Sequence, residues 1–234
     1  MIQDGDLAVA FDFGTGAFAN MRRYADYDRL DAVVVSHMHA EHFLDLIPLR
    51  YALRYGAKRR ANRLPLWLPP GGMAMLRSMT NAFANEGTGD FLEDVFDMRE
   101  FDPAATLPMG NGTLRFATTT HYITSYAVRY QRNGSSVTYS GDTAPDDRVI
   151  ELARGTDLFV CEATLLAHES ERGELRGHSS AAEAGGMAAA AKAGRLVLTH
   201  YAQDATDADL TVSARAKYGG DIVVADDHSV LTLR

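Results

Sequence analysis

The stretch VVVSHMHAEHFLDL, residues 33–46, places three histidines and a glutamate within six positions directly behind an apolar run. That run, LDAVVVS at residues 30–36, is rich in β-branched side chains and reads as a short strand buried on both faces. The polar cluster begins where the strand stops, so it falls on a loop at a strand's C-terminal end. His37, His39 and Glu41 stand at i, i+2 and i+4, which presents them to one side of an extended loop, while His42 turns to a neighbouring point. Such spacing suits two adjacent metal ions. Imidazole and carboxylate donors are what zinc and similar first-row ions accept. The competing reading is a solvated polar loop, the usual fate of isolated histidines.

Working outward, residues 7–11 read as a strand that ends in Asp12 and the turn FGTG, with a helical stretch over about 17–24. Leu46, Leu49 and Leu53 predict an amphipathic helix closed by Gly56, with Pro48 in its first turn. Residues 66–68 read as a strand and 73–84 as a helix. In the second half, 113–119, 126–130 and 137–140 alternate as antiparallel strands, and Asn133-Gly134 is a strong hairpin signal. Residues 158–162 and 195–199 read as strands, 180–193 and 210–218 as helices, and 221–225 and 230–233 as closing strands. Two similar halves of strands and helices argue for two packed sheets with helices outside, an αββα sandwich. No linker divides the chain, so a single domain spanning 1–234 is expected.

His121, Asp142 and His200 each stand at or just beyond the end of an expected strand, where a loop can aim a side chain into a shared cleft. Taken singly, each would more often cap or hydrogen-bond. Their order along the chain, together with FDFGTG, SHMHAEH, THY, YSGDT, CEATL, GHSS and LTHY, resembles the metallo-β-lactamase fold superfamily of hydrolases, whose hallmark is H-x-H-x-D-H. The motifs are nearest those of its ribonuclease Z-like and phosphodiesterase branch.

The resemblance implies a four-layer αββα sandwich of the metallo-β-lactamase type, lacking the strands that family members carry before the one leading to Asp12. It implies that His37, His39 and His121 hold one metal, that Glu41, His42 and His200 hold the second, and that Asp142 bridges them. Asp12 would orient the loop or a histidine N–H. The ions would be two divalent metals, Zn2+ first, with Mn2+ or Fe as alternatives. The implied reaction is hydrolysis by a metal-bridged hydroxide, with phosphodiesters preferred. His178 in GHSS becomes the general acid, completing a catalytic set with Glu41 and Asp142; the bland alternative is that His178 packs beside a helix capped by Ser179 or Ser180. Glu41 departs from the family's aspartate, and its extra methylene moves the oxygens. Two other readings therefore stay open: a lactone, thioester or other carboxylic-ester hydrolase, and a non-catalytic binding or regulatory relative with a compromised second metal site.

Composition narrows the partners. Hydrophobic residues at 46% support a substantial core and exclude a disordered chain. A net charge of −8 opposes long-range attraction of RNA or anionic lipid, which favours a small molecule or a small phosphodiester. Against it, RYALRYGAKRRANR concentrates Arg50, Arg54, Lys58, Arg59, Arg60 and Arg63 with Tyr51 and Tyr55 interleaved, a set able to hold phosphates and stack a base, although a solvated helix face is the simpler reading. No stretch has the length and apolarity of a membrane span, and the first residues lack the regions of a signal peptide. The single cysteine, Cys161, reads as a buried strand thiol in a reducing compartment, so a cytoplasmic protein is expected. An exposed sheet edge near the amino terminus would favour a homo-oligomer. His168 and His228 fall outside the ligand pattern.

Overall fold

The computed structural model describes residues 1–82, 91–166 and 176–233. Its contacts divide into two compact units, Met1–Asp102 and Pro103–Arg234, each with its own sheet. The expected mixed α/β chain with two sheets is found. Among the described residues no helix is long and apolar enough to cross a membrane.

In the first unit five strands run in chain order across the sheet: β1 (Ile2–Asp4), β2 (Leu7–Phe11), β3 (Ala32–Val34), β4 (Leu64–Leu68) and β5 (Phe96–Glu100). β1 and β2 form an antiparallel pair, and the remaining neighbours are parallel. Parallel pairing requires crossovers, which α1 (Ala17–Met21), α2 (Leu46–Tyr55) and α3 (Gly72–Thr80) occupy. All three residues of β3 are buried, as a strand covered on both faces should be. Leu46, Leu49 and Leu53 of α2 bury their 3/4-spaced face against Val33, Leu66, Leu68 and Phe96.

The basic run in and after α2 is mostly spent on structure. Arg50 is buried, donating from Nε to the Phe91 carbonyl (3.0 Å) and from Nη2 to Asp94 (2.6 Å). Arg60 donates to the carbonyls of Asp28 (2.7 Å) and Leu30 (2.6 Å), Arg63 to that of Glu93 (3.1 Å), and Lys58 pairs with Asp26. These donors satisfy carbonyls and acids of the same unit, and Arg50, buried on α2, departs from the solvated helix face expected there.

The second unit has a seven-stranded sheet ordered β12-β11-β10-β9-β8-β7-β6. β6 (Leu107–Met109), β7 (Gly112–Thr118), β8 (Tyr126–Arg132) and β9 (Ser135–Tyr139) form an antiparallel meander. β10 (Leu158–Ala163), β11 (Arg195–Tyr201) and β12 (Asp221–Val224) continue it in parallel. Asn133 and Gly134 both have positive φ, the backbone of the tight hairpin turn expected there. α4 (Asp147–Leu152), α5 (Ala181–Ala191) and α6 (Asp207–Arg215) complete the unit. Small residues let α5 lie close: Ala181, Ala184, Ala188 and Ala191 are buried with Phe159, Cys161, Leu196 and Leu198. Its start is set by a capping box in which Ser180 and Glu183 exchange hydrogen bonds.

Several boundaries differ from expectation. Residues 230–233 are not a strand: among the described residues β12 is the sheet's edge with no strand beyond it, and Val230 is 71% exposed. The helix expected over 210–218 begins three residues earlier because Thr206 caps it by accepting from Asp209 N–H. The one expected over 73–84 ends at Thr80, and residues 83 and 84 of that expectation lie outside the described residues. So does His168. Cys161 is buried as expected, and burial pushes its thiol far up from the ordinary value.

Candidate metal centre

In the first unit the site is built on two strand ends. β2 stops at Asp12, whose φ of 56° is left-handed, and its N–H bonds the Val34 carbonyl (2.8 Å). That turn brings the Asp12 carboxylate over the end of β3. Its Oδ1 accepts the Ser36 N–H (2.7 Å), and its Oδ2 accepts the Ser36 hydroxyl (2.8 Å) and His42 Nδ1–H (2.8 Å). Burial would push this carboxyl up, but the hydrogen bond and charge of His42, the Ser36 N–H and the charge of His37 together hold it below its usual value.

The donor count then assigns the tautomers. The one hydroxyl proton of Ser36 goes to Asp12, so Ser36 Oγ accepts from His37 Nδ1–H (2.9 Å) and the lone pair of His37 lies on Nε2. His42, donating from Nδ1 to Asp12, likewise keeps its lone pair on Nε2. His37 Nε2 and His39 Nδ1 stand 3.2 Å apart. Two nitrogens bound at ~2.05 Å to one tetrahedral zinc ion span about 3.3 Å. The pair is therefore spaced for a shared ion. Glu41 lies outside this cluster: its side chain is 59% exposed and its Oε1 is 4.0 Å from His39 Nδ1.

The short 3₁₀ turn Ala40–His42 that carries these residues is pinned by Phe13 N–H to the His42 carbonyl (2.7 Å) and by Gly14. A Cβ on Gly14 would overlap the Glu41 carbonyl. Gly14→Ala is therefore expected to displace the turn and to cost about 1–3 kcal/mol of stability, read by denaturant unfolding; unchanged stability and metal affinity would disprove the contact's importance.

In the second unit the side chains again sit at strand ends. Asp142 follows β9 through Gly141, whose φ is +58° and whose added Cβ would meet the Tyr126 carbonyl at 2.8 Å. The Asp142 carbonyl accepts from the hydroxyls of Thr119 (2.8 Å) and Ser125 (3.3 Å), which fixes the loop. His200 is the extra residue of a β-bulge, since Glu162 pairs with Thr199 and Ala163 with Tyr201. Its φ of 50° turns the ring off the sheet. Thr164 Oγ1 donates to the His200 carbonyl (2.9 Å) and so accepts its Nδ1–H (2.7 Å). His121 Nδ1–H donates to the Gly177 carbonyl (2.8 Å). Both histidines thus carry the lone pair on Nε2, and both Nε2 atoms face Asp142 Oδ2, at 4.0 Å from His121 and 3.7 Å from His200. These separations are too long for hydrogen bonds and no longer than the sum of one imidazole–zinc and one zinc–carboxylate bond.

His178 belongs to this second set. Its Nδ1–H donates to Glu162 (3.0 Å), and its ring stands edge-on to His121 (centroids 5.0 Å) and nearly parallel to His200 (5.9 Å, 17°). The fully buried Glu162 also accepts N–H bonds from Thr143 (2.5 Å), Ser179 (3.2 Å) and Thr164 (3.3 Å). Sequence reasoning left Glu162 and Thr164 without a role; the segment CEATL was the available signal. Ser180 caps α5 as the alternative reading expected, Ser179 Oγ donates to the Thr143 carbonyl (2.7 Å), and His178 is held by Glu162.

Histidines fixed through Nδ1–H by an oxygen acceptor, with carboxylates beside them, are the usual arrangement around a bound divalent ion. The donor set fits such an ion in both units. Comparison with known proteins agrees: residues 9–201 match the family model described as a Beta-lactamase superfamily domain. The chain belongs to the beta-lactamase superfamily. Among the described residues, groups of its histidines and carboxylates could hold a metal ion. Among the relatives of this chain, an uncharacterized protein of Mycobacterium leprae is 33% identical over 92% of this chain and 74% of its own length. A probable metallo-hydrolase of Bacillus subtilis, YhfI, is 27% identical over 96% of this chain and 88% of its own. A ribonuclease Z of Haloferax volcanii is 27% identical over 96% and 85%. The crystal structure of the metallo-beta-lactamase fold protein YhfI from Bacillus subtilis superposes with a TM-score of 0.82 at 26% identity, covering 96% of this chain and 87% of that one. The superfamily's fold is thus the fold of this chain.

Proposed function

We propose that this chain is a metal-dependent phosphodiesterase acting on small phosphodiesters, and that its two units work as one hydrolase domain over residues 1–234. The observation that carries the reading is the Glu162–His178 pair, because an alkoxide leaving group needs a proton and this imidazole is held to supply one. The likeness to a ribonuclease Z supports phosphodiesters over other esters. The net charge favours a small substrate over long RNA.

In this reading His37, His39 and His121 hold one ion, Glu41, His42 and His200 the other, and Asp142 serves both. We propose Zn2+, since all the donors are imidazole nitrogens and carboxylate oxygens, with Mn2+ and Fe as outcomes of metal analysis. Divalent ions, when bound, make a nucleophilic hydroxide available near neutral pH and polarise a phosphoryl oxygen. The chain's own residues do the rest. Asp12 and Ser36 keep the His37 and His42 lone pairs on Nε2, and Thr164 and Gly177 do so for His200 and His121. His178, protonated on Nε2 while its Nδ1–H stays on Glu162, delivers the Nε2 proton to the departing oxygen. Glu162 stabilises the charged imidazolium before that transfer.

Bis(p-nitrophenyl) phosphate, assayed beside lactone, thioester and carboxylic-ester panels, tests the reaction. Turnover of carbonyl substrates alone would replace the phosphodiesterase reading with an ester hydrolase. Absence of turnover by metal-loaded protein would favour a binding or regulatory role. Glu41→Gln is expected to weaken the second ion and spare the first in a competitive chelator titration. Two unchanged affinities would remove Glu41 from the ligand set.

A further inference from the structure

The proton donor has an apolar neighbour that the proposed chemistry does not use. The loop between β7 and β8 carries Tyr122 and Ile123 directly after His121, and both are large apolar side chains left 46% and 38% exposed. The Tyr122 ring stands 5.0 Å from the ring of His121 and 5.5 Å from that of His178, edge-on to the latter. Behind it lies Gly177, where an added Cβ would come within 2.7 Å of the ring. The Gly177 carbonyl accepts His121 Nδ1–H. The tyrosine is therefore seated against the backbone that orients His121 and beside the ring that gives up the proton, while half of its own surface faces out.

We propose that Tyr122, with Ile123 at its side, is a specificity-determining platform for the leaving group, and that the group it selects is an alcohol bearing a planar aromatic ring, such as a benzylic alcohol or a nucleoside. This rests on the proposed hydrolysis with His178 as acid. In that reaction water's oxygen forms the new bond to phosphorus, the bond to the leaving oxygen breaks with its electron pair, and that oxygen takes the His178 proton. The leaving alcohol must then lie against His178, and among the described residues the half-exposed Tyr122 ring stands next to His178. A planar ring gains from offset or edge contact with tyrosine in a way that an alkyl chain of equal size does not.

Ethyl benzyl phosphate tests this by internal competition, since either alcohol can leave and the two are similar in acidity. The metal-loaded wild type is expected to release benzyl alcohol over ethanol, with a ratio on the order of tenfold above that of Tyr122→Ala. Tyr122→Phe should keep the preference, and ethyl cyclohexylmethyl phosphate should show little of it. Partial unfolding of a variant lowers the total rate but leaves the ratio intact. Diester hydrolysis with the same ratio in wild type and Tyr122→Ala would overturn the platform and leave the phosphodiesterase reading standing. If diesters are inert while benzyl and cyclohexylmethyl acetates show the Tyr122-dependent preference, that reading fails and the platform stands. No turnover of either class would overturn both.

Discussion

His178→Ala is expected to lower kcat for a phosphodiester with an alkyl leaving group by about 10²–10⁴-fold while metal content stays unchanged. The loss should shrink for bis(p-nitrophenyl) phosphate, because p-nitrophenolate departs without a proton. This dependence on the leaving group separates an acid from a structural residue. The variant should still fold: Glu162 keeps the N–H donors of Thr143, Ser179 and Thr164, and losing one bond to a buried charged group costs about 1.5–3 kcal/mol. Metal analysis and a thermal melt accompany the kinetics. Loss of metal in His178→Ala, or an equal rate loss for both leaving groups, would show that His178 is not the proton donor.

Asp12→Ala should act in the opposite way, through the metal. Its carboxylate fixes His42 directly and His37 through Ser36, so removing it frees two rings at once and strands the Ser36 N–H. Metal affinity is expected to fall about 10–100-fold, with activity restored in part by excess metal. The Asp12→Asn variant probes the same point more narrowly: an amide turned to offer its oxygen to His42 turns its NH2 toward Ser36 N–H, a donor facing a donor. Isothermal titration with Zn2+ measures both. Wild-type affinity in Asp12→Ala would show that the histidines need no orienting carboxylate.

Legibility in the sequence followed locality. β2 and β3 were readable because their apolar runs are uninterrupted, and the histidine loop because its residues are neighbours in the chain. Asp142 and His200 were placed at strand ends, although the bulge and positive φ that aim His200 belong to the pairing of β10 with β11. The three-residue strands β1 and β6 carry too short a pattern to read, and the PheAspMetArgGlu run of β5 looks polar on its own. α4 was missed, though Asp146 caps it by accepting the Arg148 N–H (2.8 Å). The alternation at 230–233 misled because alternation makes a strand only where another strand offers a partner.

The same rule explains the site. Candidate metal donors could be picked from residue type and order, and Asp12 from its motif, but the other acceptors that orient the histidines could not. Ser36, Glu162, Thr164 and the Gly177 carbonyl are ordinary in sequence, and their meaning comes from a partner as many as 56 residues away, as for Gly177 and His121. The arginine-rich run shows the converse. A solvated helix face was the simpler reading and a surface for phosphates the alternative, and the carbonyls of Asp28, Leu30, Phe91 and Glu93 account for three of its arginines.

The most direct measurement of the central claim is metal content by mass spectrometry, taken alongside bis(p-nitrophenyl) phosphate hydrolysis through one cycle of chelation and reloading. The proposed centre predicts about two divalent ions per chain, hydrolysis that disappears as they are stripped, and recovery as they return. A chain that retains no metal after reloading, or hydrolysis that survives complete chelation, would contradict it.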